Sequence, residues 1–129
     1  MKKYLIAACS ALLLFASCAQ EFNNVYKSND YLYKYEYAKE AFANGKYNKA
    51  ITILQSIVTQ QKGTKDAEDC LYMLAMSEYM IRDYATASEY FKKYYQSYPK
   101  GAYAEQAEFY VGESLYMSTP EPRLDQTPT

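Results

Sequence analysis

The sequence predicts an all-α fold, a short solenoid of helical hairpins behind an N-terminal export signal. Three observations predict it. Two stretches of the chain repeat one another at an offset of 37 residues. Apolar residues in the longer segments recur on a 3.6-residue period. The punctuation between those segments, Asn44-Gly45 and Pro99, falls where a helix has to turn or stop.

Residues 1–17 read as a targeting signal. Lys2 and Lys3 form a short cationic start, and Tyr4 to Phe15 is an apolar run of 12 residues. That length suits a signal and is too short for a membrane span, which needs about 20 residues. The run ends in Phe15-Ala16-Ser17-Cys18. Small residues immediately before a cysteine resemble a bacterial lipobox, with Phe15 where leucine is usual. The resemblance implies acylation of the Cys18 sulfur, cleavage before Cys18 and anchoring in a lipid bilayer. Ordinary cleavage near Ala16 or Ala19 is the alternative. Cys9 leaves with the signal and Cys18 carries lipid, so Cys70 remains with no partner for an intramolecular disulfide. It is expected to act as a small core residue.

Residues 18–30 follow as a lipidated tether. From Ala19 onward they read as polar and aperiodic, with Ser28, Asn29 and Asp30 available to cap the helix that comes next. Helical repeats are expected over 31–129, as units 31–66, 67–102 and a partial 103–129. The first helices are expected at 31–43, 67–80 and 103–117, the second at 47–60 and 84–97. Tyr47, Ala50, Ile51, Leu54, Ile57 and Val58 form one apolar stripe. Tyr84, Ala87, Phe91, Tyr94 and Tyr95 nearly repeat it. In the third unit, Ser118-Thr119-Pro120-Glu121-Pro122 breaks any helix, and the sequence stops where a partner helix is expected to begin. Val111 and Leu115 then face water, which suggests a fragment of a longer protein.

These features resemble a tetratricopeptide repeat. The matching residues are the small Ala38, Ala75 and Gly112, where paired helices approach, then Gly45, Tyr47 and Ala50 in the first unit and Tyr84, Ala87, Phe91 and Pro99 in the second. Arg82 replaces the turn glycine of the second unit, Lys62 stands at the proline place of the first, and Glu78 occupies a normally apolar site.

Composition narrows the function. Lys and Arg number 14 against 15 Asp and Glu, for a net charge of -1. Loss of Lys2 and Lys3 makes the mature part more acidic still, so nucleic acid is not an expected partner. There is no histidine, the commonest general base and metal ligand. The sequence has no Gly-rich phosphate loop and no cysteine pair at metal spacing, and carboxylate pairs such as Glu36/Glu40 and Glu105/Glu108 fit solvated helix faces. The chain is therefore read as no enzyme, with no catalytic residue, metal or cofactor.

The lipobox, the polar tether, a repeat ending in Tyr98-Pro99 and the segment Pro120-Glu121-Pro122-Arg123-Leu124-Asp125-Gln126-Thr127 together resemble the N-terminal part of the BamD family, the lipoproteins of the outer-membrane β-barrel assembly machinery. The resemblance implies a scaffold on the periplasmic face of the outer membrane. The implied partners are the central barrel-forming assembly subunit and outer-membrane protein precursors. An unrelated periplasmic repeat lipoprotein, serving envelope or peptidoglycan factors or nutrient uptake, is the alternative.

In the tetratricopeptide fold the first helices line a concave groove. The resemblance places Tyr35, Lys39 and Phe42, then Tyr72, Met76 and Tyr79, then Phe109, Glu113 and Tyr116 on that face. Two aromatic rows result, Tyr35/Tyr72/Phe109 and Phe42/Tyr79/Tyr116. Flat rings with polar edges suit an extended client peptide, and rings at helical spacing equally suit packing between helices.

Overall fold

The structure, a computed structural model, describes residues 19–60, 63–64 and 66–119. The signal, Cys18, Lys62 and the Pro120 to Thr127 segment lie outside the described residues. Six helices account for most of the described chain. Helix α1 covers residues 19–27. It is followed by α2 (Tyr31–Ala43), α3 (Tyr47–Ile57), α4 (Ala67–Met80), α5 (Tyr84–Ser97) and α6 (Ala104–Ser118). The fold is all-α, and each helix from α2 onward packs on the next in a helical-hairpin solenoid. Tyr47 and Tyr84 open second helices, and Ala67 and Ala104 open first helices, 37 residues apart in both cases.

The helix starts follow from local chemistry. Asp30 caps α2 by accepting the Tyr33 N–H at 3.2 Å, and Asp83 caps α5 by accepting the Thr86 N–H at 3.1 Å. The two intra-hairpin turns are the same device. After α2, Lys46 N–H donates to Ala41 C=O at 2.8 Å and Gly45 N–H to Phe42 C=O at 3.0 Å. After α4, Asp83 N–H donates to Glu78 C=O at 3.0 Å and Arg82 N–H to Tyr79 C=O at 2.9 Å. Both are Schellman closures, which need a left-handed residue just past the helix. Gly45 supplies it at φ 70°, where no Cβ opposes it. Arg82 adopts φ 67° in the second hairpin and carries the strain of a side chain in that region. Arg82→Gly is therefore expected to stabilise the protein by about 0.5–1 kcal/mol, read as a higher urea midpoint. A lower midpoint would contradict this.

Helix α5 stops at Ser97 because Tyr98 precedes Pro99 and takes an extended-side φ of -132°. Helix α3 ends at Ile57, three residues before the expected 60, and Val58 to Gln60 continue as a turn. Two cores run through the stack. One gathers Val25, Tyr35, Ala38, Ala50, Ile53, Leu54, Ile57, Cys70 and Leu74. The other gathers Leu71, Ala75, Ala87, Phe91, Tyr94, Ala104 and Ala107. Val58 and Tyr90 pack against both and join them.

Two sequence expectations need correction. Residues 19–27 are helical rather than an aperiodic tether. Phe22, Val25 and Tyr26 recur at i, i+3 and i+4, so one turn of amphipathic stripe suffices to dock the segment. Val25 is fully buried, the Phe22 ring lies 6.2 Å from Tyr37, and Lys49 Nζ sits 5.7 Å over Phe22. Gly112 does not mark a close helix approach. It is exposed and has nothing within 4 Å of a Cβ position, because no described helix packs on that side of α6, whereas Ala38 and Ala75 are fully buried. Glu105 and Glu108 lie on an exposed face, and Glu78, at its normally apolar place, is buried within α4.

Burial raises the Glu78 carboxyl above its ordinary range, with Asp83 adding repulsion. A carboxyl whose folded pKa exceeds its unfolded value contributes its full stability below the unfolded value of 4.5 and loses it as pH rises through the folded value. Glu78→Gln is therefore expected to raise Tm at neutral pH and to flatten the decline in Tm above pH 4.5. Superimposable pH–Tm curves for the two proteins would refute it. Cys70 is buried with its Sγ 3.7 Å from the Tyr31 hydroxyl, and burial pushes the thiol up to about 11. Its environment is that of a packing residue and not of an activated nucleophile.

Candidate functional site

A groove of about 350 Å³ opens between the faces of α2 and α4 and the start of α6. Tyr35, Lys39, Phe42, Asp69, Tyr72, Met73 and Tyr103 line it. Four of these, Tyr35, Lys39, Phe42 and Tyr72, are among the nine residues expected from the sequence. The i, i+4, i+7 spacing of Tyr35, Lys39 and Phe42 puts them on one face of α2. Depressions of about 460 Å³ lie beside Glu36 and Glu40, where Tyr33 and Tyr37 also contribute, and around residues 99–106, where polar groups and turn backbone predominate.

The groove has an aromatic floor with one charge of each sign at its edge. Tyr35 is only 7% exposed, and its hydroxyl donates to Asp69 Oδ2 at 3.4 Å, joining α2 to α4. Burial raises the Tyr35 hydroxyl well above the ordinary phenol range, with Asp69 adding to it, so the group is a neutral donor. Lys39 Nζ lies 4.9 Å over the Tyr35 ring and 2.8 Å from Glu36 Oε1. The Glu36 pair is exposed and contributes little to stability, so Lys39 remains available to an incoming anion. Tyr72 stacks on Tyr103 with centroids 4.2 Å apart and planes 15° apart. It also meets Phe91 and Tyr94 edge-on at 6.0 and 5.7 Å. Burial raises the Tyr72 hydroxyl too.

The other five expected residues do not join this groove. Phe109 is 63% exposed and touches Tyr110, and the place beside Tyr72 is taken by Tyr103. Met76 and Tyr79 pack against the second core. Tyr79 meets Tyr84 edge-on at 5.3 Å and Tyr110 at 5.0 Å, and burial raises its hydroxyl, with the nearby Glu113 adding to it. Tyr116 is 80% exposed. The second expected row is therefore mostly packing within hairpins, as Phe42 also shows in meeting Tyr47 edge-on at 5.8 Å.

Asp69, Met73 and Tyr103 are groove residues that the sequence did not single out. Asp69 sits one turn before Met73 and faces α2, so counting only apolar positions missed it. Tyr103 precedes α6 as its N-terminal cap residue, outside the helical period that identified the others. Among the described residues no group of three or more His, Cys, Asp or Glu is placed to hold a metal ion, and no helix is long and apolar enough to cross a membrane. Such a surface can bind by ring stacking, a hydroxyl, one ammonium and one carboxylate. These are the means of recognising a peptide.

Residues 69–101 match the family model described as tetratricopeptide repeat. The chain contains a tetratricopeptide repeat. That match runs from Asp69 in α4 through the Arg82 turn and α5 to Gly101, the stretch in which the sequence pattern is most complete. A curated protein of Aquifex aeolicus (strain VF5), named "Putative outer membrane protein assembly factor BamD", is 30% identical over 96 residues, covering 73% of this chain. The aligned part is 30% of the relative's length. The repeat protein is thus similar to part of a longer protein.

Proposed function

We propose that this tetratricopeptide-repeat protein is a non-catalytic scaffold lipoprotein of the outer-membrane β-barrel assembly machinery. It is held through acylated Cys18 at the periplasmic face of the outer membrane. Its groove receives extended segments of outer-membrane protein precursors, and the central assembly subunit docks on the same scaffold. The observation that carries the client reading is the groove itself, where Tyr35, Phe42, Tyr72 and Tyr103 offer ring faces and Lys39 and Asp69 offer opposite charges. The similarity to a protein named as an outer membrane protein assembly factor supports the pathway.

Transmembrane β-strands alternate apolar and polar residues over about 10 residues. A fluorescent peptide of that pattern with aromatic residues on its apolar side is the matching probe. Anisotropy titration is expected to show saturable binding, weakened about five- to tenfold by Lys39→Ala or Phe42→Ala and unchanged by Tyr116→Ser. Equal affinity for all four proteins would reject the groove. Pull-down with the lipidated protein from solubilised outer membranes is expected to recover a barrel-assembly subunit. Recovery of peptidoglycan or sugar-uptake factors in its place would reject the pathway.

A further inference from the structure

The groove wall supplied by Tyr103 is held from behind. Tyr103 lies in the turn between α5 and α6, which by itself gives it no fixed place beside Tyr72. Two side chains fasten that turn. Glu68, in the first turn of α4, accepts a hydrogen bond from the Ala102 N–H at 2.6 Å through Oε1. The same oxygen accepts from the Tyr94 hydroxyl. Tyr94 Oη in turn accepts from the Tyr103 N–H at 3.0 Å. The result is a relay from backbone to phenol to carboxylate that ties α4, α5 and the start of α6 at one point. Tyr94 is fully buried, so its hydroxyl has few alternatives in water. Hydrogen bonds to a carboxylate are the stronger kind, and serial donors polarise one another.

The turn is shaped to admit this relay. A Cβ on Gly101 would stand 2.6 Å from Tyr94 Oη and would collide with the Glu68 carboxylate. A glycine is therefore needed at that point because two polar groups converge on it, not because of an unusual φ. Tyr103 is the second of the two residues fastened through their N–H groups, and its ring lies flat on Tyr72. Glu68 is also adjacent in sequence to Asp69, which lines the groove on the other side.

We infer that Glu68 and Tyr94 are positioning residues of the groove, holding Tyr103 against Tyr72 so that the peptide-binding wall exists before a ligand arrives. This rests on the groove as the client site. Neither residue lines the groove, and both act through Tyr103. Preorganisation of this kind raises affinity by removing an ordering cost at binding.

The test separates positioning from binding. Amide hydrogen exchange followed by NMR on the whole protein reads the Ala102 and Tyr103 N–H groups with no ligand present. Tyr94→Phe and Glu68→Ala are expected to speed exchange at both amides by at least about tenfold, while amides of α3 keep their protection. Glu68→Gln retains an acceptor oxygen and is expected to preserve much of the Ala102 protection. In the anisotropy titration with the alternating aromatic peptide, Tyr94→Phe and Glu68→Ala are expected to weaken binding about tenfold. Ile53→Val, a mild destabilisation in the other core, serves as the comparison and is expected to leave affinity unchanged.

Unchanged exchange at Ala102 and Tyr103 in both variants overturns the positioning role, even if the wild-type protein binds the peptide. Faster exchange with undiminished affinity also overturns it, since Tyr103 would then be dispensable for binding. A wild-type protein that binds no peptide removes the groove reading and the inference with it, while the exchange data still report the turn.

Discussion

Phe91→Ala is expected to lower the free energy of unfolding by about 3–5 kcal/mol. Phe91 is fully buried at the centre of the second core. Its ring stacks on Tyr110 at 5.2 Å with planes 16° apart, and it receives the edge of Tyr72 at 6.0 Å. Removing it deletes the contact through which α5 grips both first helices beside it. The void cannot close easily, because the Tyr72 and Tyr110 rings that meet Phe91 are rigid and the interior around them is close-packed. A domain of this size has only about 5–15 kcal/mol to lose, so a large share of the stability goes with one side chain. Urea unfolding followed by far-ultraviolet circular dichroism measures the loss. A change below about 1.5 kcal/mol would mean that the second core repacks, contrary to this account of its rigidity.

Gly101→Ala is expected to destabilise by about 1–3 kcal/mol, although a methyl group is all that is added. The site lies in a turn with an ordinary φ, so backbone strain is not the cause. The methyl meets the Tyr94 hydroxyl and the Glu68 carboxylate, and neither can yield without releasing a backbone N–H of the turn. Gly112→Ala is the informative counterpart. Gly112 lies inside α6 with open space where the methyl would go, and alanine in an exposed helix interior is favoured over glycine by about 0.5–1 kcal/mol. The two substitutions are thus expected to move Tm in opposite directions. A shift of the same sign for both would show that the Glu68–Tyr94 convergence does not constrain the turn.

The hairpins were legible because their signals are local and repeated. Gly45 and Asn44 announce one turn, Pro99 ends α5, and the stripes of α3 and α5 coincide under a shift of 37 residues. The Arg82 turn was found from its place in the repeat, although arginine is a poor residue for φ 67°. What escaped is non-local or too short. The stripe of α1 amounts to Phe22, Val25 and Tyr26, which in a polar segment looks like chance until Val25 is seen buried under α2 and α3. Glu68 and Tyr94 are 26 residues apart and meet only because α4 and α5 pack together. The groove was half legible for the same reason. The positions on α2 follow from helical spacing, whereas Tyr103 reaches Tyr72 through a tertiary fastening. Phe109, in phase with Tyr72 by the repeat, is displaced from the groove by a residue that lies outside that phase. Gly112 was misread because the repeat pattern assumes a neighbouring helix that the described residues do not contain.

The stacked rings around Tyr72 also have an optical consequence. Tyr79, Tyr110, Phe91, Tyr72, Tyr103, Tyr94 and Tyr98 form a connected series with successive centroids between 4.2 and 6.3 Å. The sequence has 17 tyrosines and no tryptophan. Ultraviolet excitation absorbed at one tyrosine of the series can migrate to its neighbours, and nothing in the protein emits in the tryptophan band. A peptide carrying one tryptophan, seated against Tyr103, would be the lowest-energy acceptor in the assembly and would collect that excitation. Occupancy of the groove would then be read directly as tryptophan emission sensitised by tyrosine, with no label on the scaffold.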